Sequence, residues 1–120
     1  MDQGKRLLIV DDEQKVSECL QAFFSSKGFD ATCAFTGEAA LERLGDCPDV
    51  VLLDIHLPGV SGLDVLKQAK TRCPTARFIM VSGSDNAEYE EEARRHGARG
   101  YIRKPFDFSD VTWAPVFSPA

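Results

Sequence analysis

Five short apolar runs, spaced so that one helix fits between each pair, constrain this chain more than any other feature. They are Leu7-Leu8-Ile9-Val10, Ala31-Thr32-Cys33-Ala34-Phe35, Val50-Val51-Leu52-Leu53, Phe78-Ile79-Met80-Val81 and Tyr101-Ile102. Runs of this kind read as strands buried on both faces. Between them lie helical patterns. Val16, Leu20, Phe23 and Phe24 recur at helical spacing and Gly28 supplies a stop. Ala40, Leu41 and Leu44 before Gly45 predict a second, shorter helix, and Leu63, Leu66 and Ala69 before Pro74 a third. Asp85 with Glu88 three residues on predicts the cap of a fourth, closed by Gly97. That helix is weakly apolar, and its Glu90–Arg94 and Glu91–Arg95 pairs mark a solvated face. The alternation predicts an α/β fold: a doubly wound, five-stranded parallel sheet covered on both sides.

A chain of 120 residues fits one domain. Its net charge of −5 argues against direct nucleic-acid binding by this segment. No apolar run reaches the length of a membrane span, and the start lacks signal-peptide architecture, so a cytoplasmic protein is expected. Cys19, Cys33, Cys47 and Cys73 form no CxxC pair and lie far in sequence from His56 and His96. No zinc site is expected, and four reduced thiols are. The core is expected over residues 1–107, with 108–120 an irregular or truncated fifth-helix tail, because Pro115 and Pro119 oppose a full helix. Phe106, Phe108, Val111 and Trp113 would then cover part of the sheet. A missing helix would leave an apolar patch open to a homodimer or to a helix from elsewhere.

Ligands of an open parallel sheet sit outside the carboxyl ends of its strands. The first strand ends in Asp11-Asp12, the third in Asp54, the fourth in Ser82 with Gly83 next, and the fifth in Arg103-Lys104-Pro105. The second ends in Phe35-Thr36 and adds no charge. Any one of these is an ordinary turn, cap or surface residue; together, at one edge of one sheet, they are a site. Two carboxylates about 4 Å apart repel by roughly 4 kcal/mol at an effective dielectric near 20. Three converging carboxylates and one lysine therefore call for a cation, and all-oxygen ligands on an open site suit Mg²⁺. Lys104 and Ser82 are donors for an anion. A cation, a lysine, a hydroxyl and a carboxylate nucleophile are the equipment of phosphoryl transfer, with Asp54 attacking phosphorus.

The segments IVDDE, DVVLLDIHLPGVSGLDVL, FIMVSG and GYIRKPF resemble the receiver domain of two-component response regulators, in order and over residues 5–107. The resemblance implies a flavodoxin-like sheet of order 2-1-3-4-5, the order of the chemotaxis member that serves as a standard illustration of this fold. It implies phosphorylation of Asp54 by a histidine kinase or phosphotransfer protein, and an output domain or effector downstream. It also assigns roles: Asp12 a direct ligand of Mg²⁺ (or Mn²⁺), Asp11 an acidic neighbour acting mainly through water, and the His56 backbone carbonyl a further ligand. Ser82 and Lys104 would bind the phosphoryl group, Tyr101 would be the switch aromatic, and the Lys104–Pro105 bond would be cis. His56 and Ser84 would flank the site, and Gly83 would leave the phosphoryl position accessible.

Three rivals differ in specific residues. A phosphatase of the haloacid dehalogenase type needs a second Asp two residues after its nucleophile, where this chain has His56. An interaction module that is never phosphorylated has no need of Asp12, Asp54, Ser82 and Lys104 together. A flavin or dinucleotide binder is disfavoured because no GxGxxG follows a strand. The receiver reading makes the chain a signalling module rather than a conventional enzyme, one that catalyses its own phosphorylation and slow dephosphorylation.

Overall fold

The computed structural model of the chain describes residues 5–83 and 86–117. The elements alternate as expected: β1 (Lys5–Val10), α1 (Gln14–Ser26), β2 (Phe29–Ala34), α2 (Gly37–Glu42), β3 (Val50–Asp54), α3 (Gly62–Arg72), β4 (Arg77–Ser82), α4 (Ala87–Arg95), β5 (Ala98–Arg103) and α5 (Ala114–Phe117). Ser84, Asp85 and Pro119, each given a role from the sequence, lie outside the described residues. The five strands are parallel and ordered β2-β1-β3-β4-β5. Among the described residues no helix is long and apolar enough to cross a membrane.

Strand alternation splits the core in two. Leu8, Val10, Val51, Leu53, Phe78 and Met80 face one side, where Leu63, Leu66, Ala69 and Ala93 pack against them from α3 and α4. Leu7, Ile9, Val50, Leu52, Ile79 and Val81 face the other, against Leu20 and Phe24 of α1. Apolar residues at both parities are what a strand covered on both sides requires.

The helices start where side chains supply the missing acceptors. The Thr36 hydroxyl accepts from Ala39 N–H at 3.0 Å and opens α2. Asn86 caps α4, its Oδ1 accepting from Glu88 N–H at 2.9 Å. Of α4 only Ala93 is buried, in keeping with its sparse apolar pattern. Glu90 pairs with Arg94 at 3.2 Å as its spacing predicts, and with Arg103 at 3.4 Å.

The tail closes the second face without a long helix. Trp113 and Val116 are fully buried there. The Trp113 ring meets Phe24 and Phe106 edge-on, with centroids 5.3 and 5.0 Å away, and its Nε1–H donates to the Asp107 carbonyl at 2.7 Å. Pro115 sits in the first turn of α5, where its missing N–H costs no hydrogen bond. Of the four residues expected to cover the sheet, Trp113 does so fully and Phe106 in part; Phe108 and Val111 are 44% and 87% exposed. The apolar patch expected from a shortened helix is thus occupied by the tail itself.

The thiol reading needs correction. Cys47 and Cys73 form a disulfide, and only Cys19 and Cys33 are free. The two bonded residues are 26 apart in sequence but have Cα atoms 5.6 Å apart, because α3 runs antiparallel to β3 and returns the chain to its start. Sequence spacing carries no trace of that return.

Candidate phosphoryl-transfer site

Register places the site. Val10 pairs with Leu53, so Asp11 and Asp54 are the next neighbours along β1 and β3. Asp54 pairs with Val81, and Ser82 with Arg103, so Ser82 and Lys104 follow at the same edge. Two further ladder bonds hold the tips: Asp11 N–H to Ala34 O at 3.2 Å and Lys104 N–H to Ser82 O at 2.8 Å. The residues expected to form the site are thereby brought to one edge by backbone pairing alone.

Lys104 is the hub. Its Nζ lies 2.8 Å from Asp11 Oδ2, 3.0 Å from Asp54 Oδ2 and 3.1 Å from Glu13 Oε1. The other Asp54 oxygen, Oδ1, accepts from the His56 N–H at 3.0 Å. Asp11 and Asp54 are buried and Asp12 is exposed. Burial pushes the Asp54 carboxyl above its ordinary pKa; the His56 N–H and Lys104 oppose this, and the Asp11 charge adds to it. For Lys104, burial would lower the pKa, but its bonds to Asp11 and Asp54 outweigh that and hold it firmly protonated.

One lysine does not neutralise this many carboxylates. Oxygens of Asp11, Asp12 and Asp54 lie within 4.8 Å of one another, one from each residue, so the three could hold a metal ion. A purely oxygen donor set, partly open to solvent, fits a hard divalent cation such as Mg²⁺ or Mn²⁺.

The other expected residues fall around this centre. Ser82 is fully buried at the tip of β4. His56 is exposed, and its ring packs edge-on against Tyr89 of α4 with centroids 5.5 Å apart, turned to a neighbour rather than to Asp54. Tyr101 is half-buried against the core beneath α4, and its hydroxyl is buried with no hydrogen-bond partner among the described residues. The Lys104–Pro105 bond is cis, as the resemblance implied.

Three supporting residues were not foreseen. Glu13 is the N-cap of α1 yet makes no side-chain cap, because its carboxylate is committed to Lys104. Its signal was the third acid of IVDDE. Ser17 is buried and its hydroxyl donates to the Asp11 carbonyl at 3.1 Å, pinning α1 to the tip of β1. Gly62 donates its N–H to Ile55 O at 2.8 Å, and a Cβ there would overlap the backbone carbonyl of Asp54. The second glycine of PGVSG is therefore required by close approach to the strand that carries Asp54.

Comparison with known proteins gives the same picture. Residues 7–114 match the response regulator receiver domain family. The chain is 38% identical over 107 residues to the regulatory protein AtoC of Escherichia coli K12, covering 88% of this chain and 23% of that protein. Among solved structures, a CheY-like receiver domain protein from Methanospirillum hungatei JF-1 superposes with a TM-score of 0.90 at 27% identity, covering 98% of this chain and 94% of the other. The receiver domain of NtrX from Brucella abortus does so with a TM-score of 0.86 at 33% identity, covering 94% and 96%. The chain spans between 23% and 48% of the length of the curated regulators it matches first. With five strands in the receiver order and acids, hydroxyl and lysine gathered at their carboxyl edge, the chain belongs to the response regulator receiver domain family, a signalling domain of two-component systems.

Proposed function

We propose that Asp54 accepts a phosphoryl group from a histidine kinase or phosphotransfer protein, and that the resulting change of shape signals to an output domain or effector. The observation that carries this is the convergence of Lys104 with Asp11 and Asp54 at 2.8 and 3.0 Å. That arrangement holds a carboxylate rigidly, beside a fixed positive charge, at an open edge of the sheet.

Asp54 is the nucleophile. One of its oxygens attacks phosphorus in line, and the bond to the donor nitrogen or acyl oxygen breaks as the aspartyl phosphate forms. The His56 N–H on Oδ1 fixes the carboxylate's orientation. Lys104 moves its donors from Asp54 to a phosphoryl oxygen, and the Ser82 hydroxyl donates to another. Asp11, Asp12, Asp54 and the His56 backbone carbonyl are the residues that would hold Mg²⁺ (or Mn²⁺). When bound, the ion neutralises the carboxylates and the developing charge on the phosphoryl oxygens. Gly83 keeps the approach open: among the described residues, a Cβ there would meet the Lys104 Cβ alone, at 4.0 Å.

The output follows from Ser82 and Tyr101. Once Ser82 is drawn to the phosphoryl group, the following loop moves and Tyr101, whose buried hydroxyl has no hydrogen-bond partner among the described residues, turns into the space left behind. The face formed by α4 and β5 differs between the two states. Water later hydrolyses the aspartyl phosphate, and the exposed His56 ring plays no part as a base. The module works in the cytoplasm, where a kinase can reach it. The receiver unit is taken as residues 1–107, and the described part of the tail, through Phe117, adds Trp113 and Val116 to its second face in place of a full helix.

The test is site mapping. After incubation with acetyl phosphate and Mg²⁺, borohydride reduction and peptide mass spectrometry should find the modification on the peptide holding Asp54. Modification at another carboxylate, or only at Asp11 or Asp12, would overturn the assignment.

A further inference from the structure

Cys47 and Cys73 lie at the opposite edge of the sheet from Asp54, and the reaction proposed above makes no use of them. Cys47 belongs to the connection between α2 and β3, and Cys73 is the C-cap of α3. The chain they enclose holds all of β3, Asp54, the loop that returns at Gly62, and all of α3. The bond therefore closes a ring around the unit that carries the phosphoacceptor.

The backbone at Cys47 points to the thiol as the reason for the residue. Its φ is 68°, in the left-handed region where glycine or asparagine sits at little cost and a cysteine is uncommon. Neighbours hold it there: Cys47 N–H donates to Leu44 O at 2.6 Å, and Arg6 Nη2 donates to Cys47 O at 2.6 Å. The two residues also differ in exposure. Cys47 is half-buried, whereas Cys73 is 1% exposed, so a solvent reagent meets Cys47 first. Elsewhere, Cys33 is made a poor nucleophile by burial, which raises its pKa, and Cys19 is exposed and free.

Resting on the receiver reading, the chain works beside a cytoplasmic kinase, where thiols are kept reduced and a disulfide is transient. We infer that Cys47 and Cys73 are a reversible thiol–disulfide couple that clamps the β3–α3 unit, oxidised by a low-molecular-weight disulfide of the glutathione class. The Cys47 thiolate attacks one sulfur of the oxidised glutathione. That S–S bond breaks, and one glutathione leaves as a thiolate and takes up the proton Cys47 lost. The Cys73 thiolate then attacks the Cys47 sulfur, forming the protein disulfide and releasing the second glutathione, which takes up the Cys73 proton. Two protein thiols are oxidised to one disulfide while one glutathione disulfide is reduced to two thiols; excess reduced glutathione runs the steps backwards.

Closing a ring of this length restricts the unfolded chain, and the oxidised form is expected to melt roughly 10 °C higher than the reduced form. The experiment equilibrates the full chain in glutathione buffers of graded ratio, blocks free thiols by alkylation, and reads intact mass, peptide map and melting temperature. The expected result is four alkylated cysteines under reducing conditions. A Cys47–Cys73 linked peptide should replace two of them as the ratio rises, with the melting shift appearing in step. Peptide mapping separates this from a simple glutathione adduct on Cys19. Cys47→Ser and Cys73→Ala, each shown to fold by its own melting curve, should lose both the linked peptide and the shift. Thiols that stay free at every ratio, a bond that survives the most reducing buffer, or equal melting of both forms would overturn the couple. Acetyl phosphate treatment of both redox forms keeps the two readings apart: no uptake by either form overturns the phosphoacceptor reading and leaves the redox titration as an independent result.

Discussion

The Lys104 ammonium, delivered by the residue after β5, lies 3.0 Å from Asp54 Oδ2 at the end of β3. In the sheet those strands are separated by β4, so this ion pair reaches across a strand. It couples the two residues on which the proposed chemistry depends.

Replacing Lys104 by Met removes the cation that Asp11, Glu13 and Asp54 share. In the presence of a chelator the variant should be less stable by about 1–3 kcal/mol, because two buried carboxylates lose their partner. Mg²⁺ should raise its melting temperature more than it raises that of the wild type. Acetyl phosphate should phosphorylate it about 100-fold more slowly, as for loss of one donor to a developing oxyanion. Chelator-independent stability equal to wild type would contradict the hub role.

Stability should respond to pH through Asp54. Burial first of all holds its pKa above the ordinary carboxylate value. Between the unfolded value of about 3.9 and the raised folded one, the folded protein binds more protons than the unfolded chain, so this residue's contribution to stability falls as pH rises. Asp54→Asn abolishes the titration. Without divalent ions, the melting temperature of the variant minus that of wild type should be more positive at pH 7 than at pH 4. A difference that is flat or shrinks with pH would count against the raised pKa.

Two glycines should behave oppositely. Gly62→Ala puts a Cβ onto the Asp54 carbonyl, and backbone must shift to relieve it. A loss of about 2 kcal/mol or more is expected in a denaturant titration, together with impaired phosphorylation. At Gly83 a Cβ has room, since its nearest neighbour among the described residues is 4.0 Å away. Gly83→Ala should fold with stability near wild type.

The tail should carry folding energy. Trp113→Ala empties a fully buried site and breaks the Nε1–H bond to Asp107, so a loss of about 3–5 kcal/mol is expected. Stability unchanged within error would mean that the tail merely rests on the second face.

These residues also show what the sequence made legible. Asp11, Asp54, Ser82 and Lys104 were readable because a buried strand declares itself by its apolar run and a parallel sheet collects the ends of its strands at one edge. Strand order was not readable from periodicity and came from the likeness of the motifs to a family. The Cys47–Cys73 bond was hidden because it depends on how α3 returns along β3, which spacing does not encode. Glu13 and Ser17 were hidden because each looks like an ordinary first-turn residue until its partner, Lys104 or the Asp11 carbonyl, is in place. The tail was half readable: a short fifth helix was expected and α5 is a single turn, but Pro115 sits inside that turn rather than ending it, and the burial of Val116 follows from a turn that no periodic pattern announces.

The central claim is that Asp54 is a metal-dependent phosphoacceptor, and intact mass tests it most directly. Wild-type protein and Asp54→Asn are incubated with acetyl phosphate, each with Mg²⁺ and with a chelator. The account predicts one added phosphoryl group on wild type with Mg²⁺ and none in the other three samples. No addition to wild type, or equal addition to Asp54→Asn, would contradict it.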